Sequence, residues 1–269
     1  MITLQHSLIT LFAQKADIEK FEKEIPYVLF PDAVRRYAGP RQYTHFEKTE
    51  NGENVSWIKF PKNIKNINES TLEMTPKYLA PEIRPCVIGE ETDIDKFEKT
   101  NKHLNLDYFF GVKKHLKQDW IFDKFIREKI DTSKRYEDEF KFNDETLDGK
   151  QLRSLIADIE NQGVYILAYM LHKAYGITAN QEWFDEHVKK KLDAAYPEEL
   201  SESTYKYMKI PENINEMITN HDWSKLNDGI LSIGDYKEMY KEVASSMIEI
   251  DFEKEEARKK EDAEFGEQE

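Results

Sequence analysis

His115 and Asp119 stand four residues apart, so on a helix they project from one face, one turn from each other. An imidazole and a carboxylate placed that way can clasp a single cation. Gly111, a turn earlier on the same face, leaves room for a partner backbone. Upstream, Pro31-Asp32-Ala33-Val34-Arg35 is followed by Tyr43-Thr44-His45-Phe46. One carboxylate and one imidazole from these segments, added to the helical pair, make a set of four N/O ligands. That set suits zinc, whose sites are commonly four-coordinate with His and Asp, and would suit manganese or iron if water completed a larger shell. Each residue also has a plainer reading. His115 and Asp119 could be a surface ion pair worth a few tenths of a kcal/mol, Asp32 a helix N-cap after Pro31, and His45 a strand-end histidine satisfied by backbone.

The order of these segments resembles a known family. A histidine near the N-terminus (His6), Pro31-Asp32-Ala33-Val34, Thr44-His45-Phe46 and then Phe109-Phe110-Gly111 leading to His115, Asp119 and Trp120 are similar to the zinc-dependent phospholipase C-like family. That family shares an all-helical fold with bacterial phospholipase C and the nucleases of the S1/P1 type. The matched motifs run from His6 to Trp120, somewhat under half of the chain. The resemblance implies that Asp32, His45, His115 and Asp119 are metal ligands, that His6 is a ligand or near neighbour, and that Asp119 is the carboxylate able to bridge two ions. The family's multi-zinc enzymes carry further ligands, usually including His, soon after the His-x-x-x-Asp pair. This chain has no histidine between His115 and His172, so Asp123, Asp158, Glu160 or His172 would have to serve. The family's secreted members also use a mature N-terminal amine as a ligand. With Met1 retained, no such role is expected here.

The chemistry implied is phosphoester hydrolysis. One or two zinc ions lower the pKa of a bound water that attacks phosphorus, and Asp32 or Asp119 orients that water or takes its proton. Arg35, Arg36 and Arg41 lie beside the ligand segments and could hold a phosphate by bidentate contacts; solvated arginines are the plainer reading. The substrate would be a small phosphoester or a phospholipid-like head group. The alternative is a metal-stabilised helical binding protein with no turnover, which the lack of downstream histidines favours. His221-Asp222 resembles the doublet of His-Asp phosphohydrolases but reads as a loop and cap. The sequence has no Gly-rich phosphate loop, no His-Glu-x-x-His and no Gly-x-Ser-x-Gly.

The elements that must position these residues are helices. Apolar residues recur at helical spacing from Ile2 to Phe21, with Ile25-Pro26 as the stop, and two longer helices are expected over Leu104 to Ile130 and Leu147 to Tyr175, the second ended by Gly176. Gln181 to Ala195 and Pro211 to Thr219 are further helices, and Asp235 caps a last one running from Tyr236 towards Lys260. Asn51-Gly52 between two extended runs predicts a small β-hairpin insertion near residues 45 to 60. Residues 61 to 100 read as irregular connection with short elements.

The expected fold is therefore mainly α, a multi-helix domain of the phospholipase C/P1 nuclease type spanning residues 1–250. An acidic helical extension with a frayed tail follows over 251–269, where nine acids outnumber four bases. Only 10 glycines and 9 prolines occur in 269 residues, too few for a sandwich or barrel that turns every few residues. The net charge of −14 argues against an extended nucleic-acid surface, which needs Lys and Arg to displace counterions. Cys86 is the only cysteine, which with the lack of a signal-like N-terminus gives a cytoplasmic reading. No stretch approaches 18 apolar residues, so no transmembrane segment is expected.

Overall fold

The computed structural model describes residues 1–39, 41–47, 57–75, 92–129, 139–142, 145–220 and 231–266. Among them the chain is mainly helical. The first expected helix is two helices, α1 (Thr3–Ala13) and α2 (Ile18–Ala38). Between them Lys15 and Ala16 take left-handed backbone with φ of 54° and 62°, and Asp17 caps α2 by accepting from the Lys20 amide at 3.0 Å.

Pro26 does not stop α2, which runs through both Pro26 and Pro31 to Gly39. A proline within a helix removes one amide donor and usually costs a few kcal/mol. Here the helix is retained because Phe21, Ile25, Val28, Leu29, Phe30, Ala33 and Val34 are all buried along it, and each buried side chain returns about 1.5–3 kcal/mol. Asp32 consequently lies inside a helix and is not an N-cap.

After the short α3 (Arg41–His45) comes the strand β1 (Trp57–Lys59), which pairs antiparallel with β2 (Glu73–Thr75). Among the described residues the partner of β1 lies downstream and Glu47 forms an isolated bridge with Thr92, while most of the hairpin expected over 45–60 falls on residues 48–56, outside the described residues. Asn51 and Gly52 lie outside the described residues. Single 3-10 turns at Ile64–Asn66 and Glu69–Thr71 and α4 (Ile94–Thr100) lead to α5 (Leu106–Lys129), the helix of His115 and Asp119. A second strand pair joins β3 (Phe140–Phe142) to β4 (Glu145–Leu147).

Then α6 (Gly149–Tyr175) is capped by Asp148, which accepts from Gln151, and ends at Gly176 with φ of 70°. The expected helix from Gln181 to Ala195 is α7 (Gln181–Phe184), a π-helical stretch at Asp185–Lys189 and α8 (Lys190–Ala195). It is followed by α9 (Glu198–Met208) and α10 (Ile214–Asn220). The last helix, α11 (Ile233–Gly266), starts before Asp235. Ser232 is its cap: its hydroxyl accepts from the Asp235 amide at 3.1 Å, and Asp235 accepts from the Ser232 amide at 2.7 Å. No described helix is long and apolar enough to cross a membrane.

Helix α1 is central. It packs on α2, α6 and α11, while α5 lies between α2 and α11. Two glycines set these approaches. A Cβ at Gly163 would collide with Gln5 and Tyr240 where α1, α6 and α11 meet, and one at Gly111 would collide with Tyr27 on α2. The close α2–α5 contact allowed by Gly111 brings Asp32 to His115. Gly111→Ala is expected to cost about 1–3 kcal/mol by overpacking, measured as a lower urea midpoint with unchanged helical circular dichroism at rest.

A buried ion network ties the same helices to α11. Lys114 donates to Glu24 at 2.5 Å and to Asp251 at 2.6 Å, and Lys254 donates to Glu24 at 2.8 Å. Residues 251–266 therefore continue α11, and Asp251 and Lys254 help hold α2 against α5, although Phe252 between them is 64% exposed.

Candidate metal centre

Four helices deliver the side chains singled out by their spacing. His6 comes from α1, Asp32 from α2, His45 from the end of α3, and His115 and Asp119 from α5. His6, His45, His115 and Asp119 are fully buried, and the Asp32 side chain is 13% exposed. Asp119 is the hub. Its Oδ1 lies 3.3 Å from His6 Nε2, and its Oδ2 lies 3.3 Å from both His45 Nε2 and His115 Nε2. Asp32 Oδ1 faces His45 Nε2 at 3.5 Å, and its Oδ2 accepts from the Thr3 hydroxyl at 3.0 Å.

The hydrogen bonds behind the rings fix which nitrogen faces inward. The Gln118 amide nitrogen donates to Thr10 Oγ1 at 3.0 Å, so its Oε1 is turned to His6 Nδ1 at 2.6 Å. The His6 Nδ1 then donates to Gln118, and Nε2 is the ring atom turned to Asp119. His45 Nδ1 lies 3.1 Å from the Arg41 carbonyl and 2.7 Å from the Thr44 hydroxyl, which assigns its proton in the same way. Both arrangements are the outer support that ligating histidines use. The His45 and His115 Nε2 atoms are only 3.0 Å apart, and the His6 ring stacks on His115 with centroids 3.8 Å apart. His6 Nε2, His115 Nδ1 and Asp119 Oδ2 receive no well-directed hydrogen bond despite their burial. Two groups of donors, His6 with Asp32 and His115, and His45 with His115 and Asp119, each converge closely enough to share one ion. The donor set and its orphaned atoms fit a divalent cation such as zinc.

Cationic and acidic neighbours complete the cluster. The Met1 amine, for which no ligand role is expected, lies 2.7 Å from Asp119 Oδ1 and 3.9 Å from Glu160. Arg41 is 2.7 Å from Asp119 Oδ2 and 3.8 Å from Asp123 Oδ2, and pairs closely with buried Glu47. Of the alternatives for downstream ligands, Asp123 and Glu160 border the cluster, while the His172 ring turns to the Thr178 hydroxyl at 3.2 Å. Asp123 was legible as the next turn of the face carrying His115 and Asp119. Nothing local marks Glu47 or Gln118. Among the arginines, Arg35 is 45% exposed and 3.9 Å from Asp32, whereas Arg36 pairs with Glu199 of α9. His221 and Asp222 lie outside the described residues.

Burial governs the protonation states. It pushes the Met1 amine pKa down, but Asp119, Asp123 and Glu160 outweigh it and leave the amine raised. Burial would raise the Asp119 pKa, yet Arg41, the Met1 amine and His6 hold it well below the carboxylate range. Burial and then the neighbouring His6 pull His115 from 6.5 down to about 3, so it is a neutral imidazole at pH 7. Asp123 goes the other way, from 3.8 to about 6, because burial outweighs Arg41 and the amine.

These shifts have opposite signs in stability. The lowered His115 contributes stability present above its unfolded pKa near 6.5 and lost as pH falls towards 3. The raised Asp123 contributes stability present below 3.8 and lost as pH rises through 6. Between about pH 6 and 4 they offset each other, and only below that range must Asp119 take up its proton. Urea midpoints of metal-free protein are expected to show a plateau from about pH 6 to 4 and a steep fall beneath it. A steady loss of about 1.4 kcal/mol per pH unit beginning at pH 6.5 would contradict the Asp123 assignment.

Fold and site together define a mainly helical protein with a buried imidazole–carboxylate cluster suited to a divalent cation. No family model matches the sequence, no curated protein matches it and no solved structure matches its fold.

Proposed function

We propose that this chain is a metal-dependent phosphoester hydrolase, with zinc as the preferred ion, built on the helical plan of the phospholipase C/P1 nuclease type. The observation that carries the reading is the convergence of three imidazole Nε2 atoms on the two oxygens of Asp119, with the Nδ1 protons of His6 and His45 tied down behind them. These imidazole nitrogens and two carboxylates, gathered in one buried cluster, form a donor set that a divalent cation can hold together, in competition with the Arg41 guanidinium and the Met1 amine that already face Asp119. Asp32, His45, His115 and Asp119 would hold the ion, with His6 on the far oxygen of Asp119. When bound, such an ion supplies Lewis acidity and a water of lowered pKa.

The remaining work falls to this chain's own groups. Asp32 is the only one of these five side chains with exposed surface, so it stands on the side from which water and substrate arrive, and its carboxylate can orient an attacking water or take its proton. Arg35, exposed and next to Asp32, is placed to meet the phosphate of a small phosphoester or a lipid-like head group. The test is zinc-dependent cleavage of bis-p-nitrophenyl phosphate by purified protein. Cleavage should fall by at least a hundredfold in Asp32→Asn, with a raised KM in Arg35→Ala.

One observation favours the alternative, a metal-stabilised binding protein without turnover: four of the five donors are fully buried, so an ion there could serve only to lock the helices. Stoichiometric zinc, strong thermal stabilisation and no cleavage of any phosphodiester would decide for it.

A further inference from the structure

Arg41 is held where a metal ion would have to compete with it. Its guanidinium sits 2.7 Å from Asp119 Oδ2, the same oxygen to which His45 Nε2 and His115 Nε2 point at 3.3 Å each. An ion bound by His45, His115 and Asp119 must take a lone pair of that oxygen and would bring two positive charges next to the guanidinium, within hydrogen-bonding range of the same carboxylate. The guanidinium also has somewhere to go. Asp123 Oδ2 is buried, lacks a hydrogen bond and stands 3.8 Å from Arg41, and Glu47 already grips the same nitrogen from the other side. Arg41 and His45 occupy the two ends of one short helix, joined by the contact of His45 Nδ1 with the Arg41 carbonyl.

We propose that Arg41 is a resident counter-cation of this centre that sets its metal affinity: it neutralises Asp119 in the empty site and is released onto Asp123 and Glu47 when the ion takes Asp119 Oδ2. This rests on the metal-centre reading above and goes beyond it, since it assigns Arg41 to regulating occupancy and not to holding substrate. Lysine replaces it only in part, because its single nitrogen cannot pair with Asp119 and Glu47 through two separate nitrogens as the guanidinium does. The empty cluster is thereby kept from collapsing under its own negative charge, at a cost in metal affinity.

The experiment is calorimetric titration of metal-free wild type, Arg41→Met and Arg41→Lys with zinc chloride at pH 7, using a competing chelator where binding is tight. Arg41→Met is expected to bind zinc at least tenfold more tightly than wild type, with Arg41→Lys between them. Because Arg41→Met removes a cation shared by three carboxylates and could unfold, the zinc-loaded wild type supplies an independent measurement. Its crystal structure should show the guanidinium withdrawn from Asp119 and hydrogen-bonded to Asp123. Unchanged or weaker zinc binding in a folded Arg41→Met, or a zinc-loaded structure with Arg41 still on Asp119 Oδ2, overturns the proposal while leaving the metal centre in place. Absence of zinc binding by the wild type overturns both.

Discussion

Asp119→Ala is expected to abolish metal retention and to destabilise even the metal-free protein by about 3–5 kcal/mol, the range for breaking a buried ion pair by removing one partner. Both oxygens of Asp119 are in use: Oδ1 by the Met1 amine and His6, Oδ2 by Arg41, His45 and His115. Removing the carboxylate takes the common ligand from both imidazole groups. It also leaves the partly exposed Arg41 guanidinium and the buried Met1 amine to be answered by Asp123, Glu47, Asp32 and Glu160. His115→Ala provides the contrast. It deletes a ring that is neutral at pH 7, so no charge is stranded. It should lose zinc as completely as Asp119→Ala while costing the metal-free protein less. Elemental analysis of untagged protein, paired with urea unfolding in a chelator, reads both quantities. Zinc near one equivalent in either variant would remove the cluster from consideration as the metal site.

Stripping the metal from wild type is expected to lower the thermal midpoint by roughly 10 °C. An ion present at about a thousand times its dissociation constant stabilises the folded state by about 4 kcal/mol, and for chains of this order of size 1 kcal/mol corresponds to about 2–4 °C. The stabilisation should be this large because the ligands come from α1, α2, α3 and α5, and one ion would tie all four elements together. Scanning calorimetry with and without a zinc chelator measures it. The same scan on His115→Ala should be insensitive to chelator. A wild-type midpoint that does not move under chelation would mean that the imidazoles and carboxylates are held by protons and by Arg41 alone.

The sequence by itself determined the parts of this protein that depend on neighbours a few residues away. The 3.6-residue recurrence of apolar positions marked α5 and α6, the left-handed preference of glycine marked the stop at Gly176, and i to i+4 spacing put His115 and Asp119 on one face. Gly111 was legible as a place for a close backbone because the smallest side chain sits on that same face. What only the tertiary structure decided involves partners distant in the chain. Helix α2 survives two prolines because burial of its apolar face outweighs the lost hydrogen bonds, and this moves Asp32 from an expected cap into a helix interior. Strand β1 pairs with β2, a downstream segment that no turn signal in the sequence pointed to, since strand pairing is settled by which edge is available in space. The amine of Met1 reaches Asp119 across a separation of 118 residues, and Arg41 turns inward because Glu47, Asp119 and Asp123 surround it. Charges buried together choose their partners by packing and desolvation, and neither leaves a periodic trace in the order of the residues.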